Sequence, residues 1–235
     1  MTQAPEAAVR KQGGEPRQLL PLVRHLSSWL TPRLVLLPVS ANHVTAASLL
    51  LGLGCAWSIF QGSAAWTVAG AVLLIASTVL DNCDGEVARL KDQCTTFGMH
   101  FDTFADWIVH SGFFVSLGFA VARAADQDMW LWLGLIAAVG STINYAIWLV
   151  YASREKAREG ERDDVENAAG PGAHPRDATG WVVFAFRELT RADFCFIVLA
   201  LALFDVVWVL LPAAAVGAQV YWLTRFRRGA GEYRV

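Results

Sequence analysis

The chain is expected to be an all-α integral membrane protein: six transmembrane helices, an N-terminal amphipathic helix on the inner surface, and both termini cytoplasmic. Three observations lead there. Hydrophobic residues fill 55% of the 235 positions and charged residues 17%, against about 45–50% and about 25% in soluble domains. Apolar stretches recur at lengths that suit a bilayer core of roughly 30 Å crossed at about 1.5 Å per residue. Once those stretches are laid across a membrane, the basic residues collect on one side of it.

The spans read as 43–60, 64–90, 98–123, 129–152, 188–204 and 206–226. The fifth is short, Asp205 and its neighbours must make a tight turn, and Pro212 is expected to kink the sixth. With the N-terminus inside, the first tail holds Arg10, Lys11, Arg17, Arg24 and Arg33, and the loop after span two holds Arg89 and Lys91. The loop after span four holds Arg154, Lys156, Arg158, Arg162, Arg176, Arg187 and Arg191, and the C-terminus holds Arg225, Arg227, Arg228 and Arg234. Eighteen of 19 basic residues then lie inside, with Arg123 alone near the other face. That bias supports an even number of spans. Merging spans five and six would place the C-terminal cluster outside, so the two are kept separate.

Tryptophans agree with this layout. Trp57, Trp66, Trp130, Trp132 and Trp208 fall near outer span ends, and Trp29, Trp148 and Trp222 near inner ends, as an aromatic belt requires. Gln18 to Val35 carries Leu19, Leu22, Val23, Leu26, Trp29 and Leu30 at helical spacing, the mark of an amphipathic helix lying on the inner surface. Pro21 and Pro32 should make it short or bent. Met1 to Arg17 is polar and lacks a secretory h-region, so no removal of a leader is expected. Residues 153–180 are charged, then Gly/Ala/Pro-rich, and read as a flexible cytoplasmic loop. The organisation expected is a tail and juxtamembrane helix over 1–37, a six-helix domain over 38–228 and a tail over 229–235.

Net charge is −2, which leaves no excess for a polyanion and excludes a nucleic-acid partner. Cys55, Cys83, Cys94 and Cys195 form no CxxC pair, so neither a disulfide framework nor a thiolate zinc site is indicated.

Spans two and three hold acids that do not belong in a membrane. Asp81 and Asp84 are spaced i,i+3, and Asp102 and Asp106 i,i+4, so each pair shares a helix face. The short Leu90 to Phe97 connection makes the two helices antiparallel neighbours and lets all four carboxylates converge. Each mid-helix Asp costs roughly 2.5–3.5 kcal/mol on the insertion scale, less near the interface. Four unpaired acids would cost on the order of 10 kcal/mol, more than Arg89 offsets. One or two divalent cations are the natural partner, since carboxylate oxygens suit Mg²⁺, Mn²⁺ or Ca²⁺. Gly85 and Gly98 leave room for a phosphate or nucleotide beside the acids, and Arg89 is a suitable fork for a phosphate oxygen.

The run Asp81-x2-Asp84-Gly85-x2-Ala88-Arg89-x8-Gly98-x3-Asp102-x3-Asp106 resembles, at all eight specified positions, the signature of the CDP-alcohol phosphotransferase (CDP-alcohol phosphatidyltransferase) family. The likeness extends to the six-span layout, to Asn42 and Thr45 opening the first span, and to Arg191 near the fifth. It covers about residues 38–228. The resemblance implies a homodimeric membrane transferase of phospholipid biosynthesis. Such an enzyme moves a substituted phosphate from a CDP-alcohol to an acceptor hydroxyl and releases CMP, with its active site at the cytoplasmic face of the cell membrane. Carried over, Asp81, Asp84, Asp102 and Asp106 are metal ligands for two Mg²⁺ or Mn²⁺ ions, and Asp106 is also the catalytic base. Gly85, Ala88, Arg89, Gly98, Asn42 and Thr45 line the CDP site. Ala41 stands where the family commonly has Pro, and Trp107 where many inositol-phosphate and glycerol-phosphate enzymes carry a basic residue.

CDP-diacylglycerol is the default donor, with a soluble CDP-polyol such as CDP-inositol as the alternative. Arg187 and Arg191, four residues apart, are candidates for holding an anionic acceptor, against ordinary inner-face anchoring. Asp193 could pair with Arg191, and His110 reads as a packing residue one turn beyond Asp106. Gly52 and Gly54 should permit close helix packing. Two other classes compete. An intramembrane prenyltransferase needs two Asp-rich motifs far apart, whereas these acids lie within 26 residues. A divalent-cation transporter needs polar groups toward both faces and leaves Gly85, Ala88 and Arg89 unexplained.

Overall fold

The computed structural model describes residues 22–159 and 193–220. The expectations for residues 1–21, for Arg187 and Arg191, and for Trp222 and the C-terminal tail lie outside the described residues. Among the described residues every regular element is helical. They are α1 (Leu22–Leu36), α2 (Ala41–Phe60), α3 (Ala64–Leu90), α4 (Thr96–Ala125), α5 (Met129–Glu159), α6 (Phe194–Leu203) and α7 (Val207–Val220). Four of these, α2 to α5, are long and apolar enough to cross a membrane. The other two apolar helices, α6 and α7, are shorter; the remainder of the expected fifth and sixth spans lies outside the described residues. The result is a multi-pass membrane protein. A 3-10 turn over Val207–Val209 opens α7, and the helix continues through Pro212.

Sequence chemistry accounts for the ends of these helices. Ser40 caps α2 by accepting from the His43 amide at 3.4 Å, while His43 Nδ1 accepts from the Ser40 amide at 3.2 Å. The two bonds form a reciprocal capping box. Ser63 caps α3 and Thr95 caps α4 by accepting from the amides of Trp66 and Gly98. At the other ends, Asp92, Asp126 and Asp205 all sit in the left-handed region, with φ of 55°, 52° and 56°. Each is followed by an amide that reaches back five residues: Gln93 to Ala88 at 2.8 Å, Gln127 to Ala122 at 3.2 Å, and Val206 to Leu201 at 2.9 Å. These are Schellman closures with aspartate in the place glycine usually takes. The tight turn expected at Asp205 is one of them.

Packing follows the small residues. An added Cβ on Gly52 would lie 2.2 Å from Val109, and one on Gly70 2.8 Å from Ile59, so α2 meets α4 and α3 closely. Gly54 makes only ordinary contact with Leu73. Gly118 of α4 and Gly134 of α5 cross nearly backbone to backbone, since a Cβ on Gly134 would come within 2.5 Å of the Phe114 carbonyl oxygen. Gly140 of α5 receives Ala218 of α7. Phe113, Ile59, Val198 and Leu211 are completely enclosed, while Leu50, Trp57, Trp132 and Val139 point outward, as a lipid-facing surface requires.

The juxtamembrane helix turns a hydroxyl stripe toward the bundle and leaves an apolar face outward, as a helix lying against lipid does. Its buried stripe is Val23, Ser27 and Thr31, one residue per turn, and two of the three are hydroxyls. Leu22, Leu26 and Trp29 face outward at 40%, 42% and 63% exposure. The reason is Glu86 of α3, which accepts from Ser27 Oγ at 3.1 Å and Thr31 Oγ1 at 2.5 Å. A carboxylate at this depth needs donors, and α1 supplies them. Asp193 completes the docking. It stands at the start of α6 yet makes no capping bond to its own helix. Instead its fully buried carboxylate accepts the α1 amides of Leu22 at 2.9 Å and Val23 at 3.1 Å. Lys91 Nζ donates to the carbonyls of Leu37 at 2.7 Å and Val39 at 2.6 Å just beyond α1. Negative charge thus sits at the helix's first turn and positive charge past its last, as its dipole favours.

Candidate active site

The antiparallel pairing of α3 and α4 across residues 91–95 brings the acid faces together. Asp81, Asp84 and Asp102 can each offer one oxygen, and these atoms lie within 4.8 Å of one another. Asp84 is buried and the other two are half-buried. Thr45 Oγ1 donates to Asp84 Oδ2 at 2.5 Å and so fixes one carboxylate before any ligand arrives. Asp106, expected as a fourth ligand, stands outside this group. It lies one turn along α4 from Asp102, exposed to open space. Three all-oxygen donors around one point, with like charges held close, suit a hard divalent cation.

Two cavities meet at this cluster from different sides. The first, of about 420 Å³, is lined by all six residues expected at a nucleotide: Asn42, Thr45, Gly85, Ala88, Arg89 and Gly98. Asp84 and Asp102 form its acidic wall. Glycine is what keeps it open, because a Cβ on Gly98 would press to 3.2 Å from both Asn42 Oδ1 and Thr95 Oγ1. A Cβ on Gly85 would sit 3.5 Å from the Arg89 guanidinium. The second cavity, of about 460 Å³, contains Asp81 and Asp106 with Thr78, Asn82, His110 and Arg24. His110 donates from Nδ1 to the Asp106 carbonyl at 2.9 Å, which leaves Nε2 free to face the space. A third, of about 340 Å³, runs from Asp106 and His110 between α4, α5 and α7. Its wall includes Trp107 stacked on Tyr145 at 5.2 Å, with the indole N–H given to Thr142 at 3.1 Å.

Sequence reasoning missed several of these groups. Glu86 lies inside the motif but carries no assigned role in it; Ser27 and Thr31, spaced i,i+4 on one face of α1, were the available signal. Arg24 was counted only for topology. Asp193 makes its contacts 171 and 170 residues away, and no local pattern announces them.

Fold and site together define an integral membrane protein with an acid-lined, cation-fitting centre where two transmembrane helices pair. A family model for CDP-alcohol phosphatidyltransferase matches residues 38–221, and the chain belongs to that family. Among its relatives is a CDP-diacylglycerol–serine O-phosphatidyltransferase of Helicobacter pylori, 43% identical over 67 residues, which is 28% of this chain and 27% of the relative. Bifunctional IPC transferase and DIPP synthase proteins are similar over longer stretches. That of Thermococcus kodakarensis is 28% identical over 123 residues, covering 51% of this chain and 27% of the relative. That of Aquifex aeolicus is 30% identical over 118 residues, covering 50% and 26%. The chain thus aligns with only about a quarter of each relative's length.

Proposed function

We propose that the protein transfers a substituted phosphate from a CDP-alcohol to an acceptor hydroxyl, releasing CMP. The observation that carries this reading is the first cavity, where Gly85, Gly98, Arg89, Asn42 and Thr45 stand against Asp84 and Asp102. Asp81, Asp84 and Asp102 would hold divalent cation, Mg²⁺ or Mn²⁺. Bound there, the metal supplies Lewis-acid stabilisation of charge on the diphosphate. Arg89 is the fork for a phosphate oxygen. Thr45 orients Asp84, as an outer partner orients a metal ligand.

Asp106 lies on the far side of the cluster from the nucleotide cavity, where an acceptor would arrive. It takes the acceptor hydroxyl proton as that oxygen forms a bond to the β-phosphorus. The bond from the β-phosphorus to the CMP oxygen breaks, and CMP leaves as a phosphate monoester. Its exclusion from the acid trio favours the base role over the ligand role.

CDP-diacylglycerol is the donor we favour, as the Helicobacter pylori relative's name supports. The six-span layout with both termini cytoplasmic, the division at residues 37 and 228, the homodimer and acceptor contacts at Arg187 and Arg191 belong to the same reading. The test is CMP release by purified protein in lipid nanodiscs over a matrix of donors, CDP-diacylglycerol and CDP-inositol among them, and acceptors. Release should require a donor–acceptor pair and vanish in excess chelator, returning with Mg²⁺ or Mn²⁺. Full turnover in chelator would overturn the metal assignment. Cation flux without CMP release would favour a transporter.

A further inference from the structure

We infer that Arg24, on the juxtamembrane helix, holds the anionic group of the acceptor; this rests on the transferase reading above. The second cavity contains both Asp81 and the proposed base Asp106. A divalent ion held by the acid trio would be engaged by the donor diphosphate, so the phosphate or carboxylate of an acceptor in this space calls for a cation of its own. Among the described residues lining that cavity, Arg24 is the only Lys or Arg. Thr78 and Asn82 line the same space with polar side chains that carry no formal charge.

Arg24 also stands on an anchored backbone. The amides of Leu22 and Val23, its immediate neighbours, are fixed by the buried carboxylate of Asp193. One turn on, Ser27 is tied to Glu86, inside the acid motif itself. The helix carrying Arg24 is therefore coupled to the helix carrying Asp81 and Asp84. An inner-surface helix needed only for topology has no use for such attachment. A guanidinium presented this way can take two oxygens of a phosphate or carboxylate at once.

The experiment compares wild type, Arg24→Ala and Arg24→Lys in nanodiscs of one lipid composition. CMP release is measured with CDP-diacylglycerol and, separately, L-serine, sn-glycerol 3-phosphate or myo-inositol 1-phosphate as acceptor. For the acceptor the wild type uses, Arg24→Ala should raise KM about tenfold or more, with donor KM within roughly twofold. Arg24→Lys should recover part of the loss, since it restores charge without the fork. The three acceptors distinguish a carboxylate from a phosphate ligand. Calorimetric titration of sn-glycerol 3-phosphate, and of L-serine, into each protein with Mg²⁺ present gives a readout independent of turnover. An unchanged acceptor KM in a folded Arg24→Ala protein overturns the inference, and so does a raised donor KM with acceptor KM intact. If wild type releases no CMP with any pair, the transferase reading fails. The titration still decides Arg24: wild-type binding lost in Arg24→Ala supports it, and binding that is equal in both, or absent from both, refutes it.

Discussion

Replacing Asp193 should release α1 while leaving the transmembrane bundle intact. Its carboxylate is fully buried and accepts two backbone amides that have no partner in the first turn of their own helix. A hydrogen bond to a charged group is worth about 1.5–3 kcal/mol, and cap removals cost about 0.5–2 kcal/mol. Asp193→Ala removes both bonds and the charge at the positive end of the helix, so about 2–4 kcal/mol of local stability is at stake. Asp193→Asn keeps one acceptor oxygen and should lose about half of that. Since about 1.4 kcal/mol is tenfold in an equilibrium, amide hydrogen exchange across Leu22–Leu36 should quicken roughly 30- to 1,000-fold in Asp193→Ala. Exchange in α2 should hardly change. Mass spectrometry on peptides from nanodisc-embedded protein measures both. Equal acceleration in α1 and α2, or an α1 rate within about threefold of wild type, would refute the docking argument.

Three further outcomes follow from the site. Asp106→Asn, whose amide cannot accept a proton at neutral pH, should lower kcat at least about a hundredfold with CDP-donor affinity changed less than roughly tenfold. Asp81→Asn should lose both; calorimetry beside the CMP assay separates them, and near-normal kcat in Asp106→Asn would end its role as base. Gly98→Ala should weaken donor binding by about 1 kcal/mol, roughly fivefold in KM, because its methyl presses on Asn42 and Thr95. Thermal unfolding of the same variant should be unchanged or slightly higher, as alanine suits a helix better than glycine; a lowered midpoint with normal KM would mean the glycine serves packing instead.

The acid centre was legible because its geometry is local. Spacings of three and four fix a helix face, and a connection of a few residues fixes which face meets which. The long apolar helices were legible for the same reason, to within a few residues at each end. The footing of α1 was not. Its leucines advertised an apolar underside, but Glu86 needs donors, and that need turns Ser27 and Thr31 inward and leaves Leu26 and Trp29 outside. Asp193 reads naturally as the cap of the helix it begins, yet it serves one whose first residue lies 171 positions earlier. Nor does spacing show that Asp106, one turn of α4 beyond Asp102, opens with Asp81 onto a different cavity from Asp84.

The glycine crossing of α4 and α5 has a mechanical side. Gly118 and Gly134 bring the two helices nearly into backbone contact at one level, while toward the other end Trp107 of α4 stacks on Tyr145 of α5 and His100 meets Trp148 edge-on. The pair is a set of tongs with its fulcrum at the glycines. From Gly118 to Asp106 is twelve residues, about 18 Å of helix at 1.5 Å each. A spread of about 1 Å at the fulcrum, roughly what a single methyl there demands, swings that arm through about 3°. Asp106, the proposed base, is therefore aimed in part by two residues that carry no side chain and lie far from it. Changes at the crossing would reach it through leverage, without touching any group in either cavity beside the acid trio.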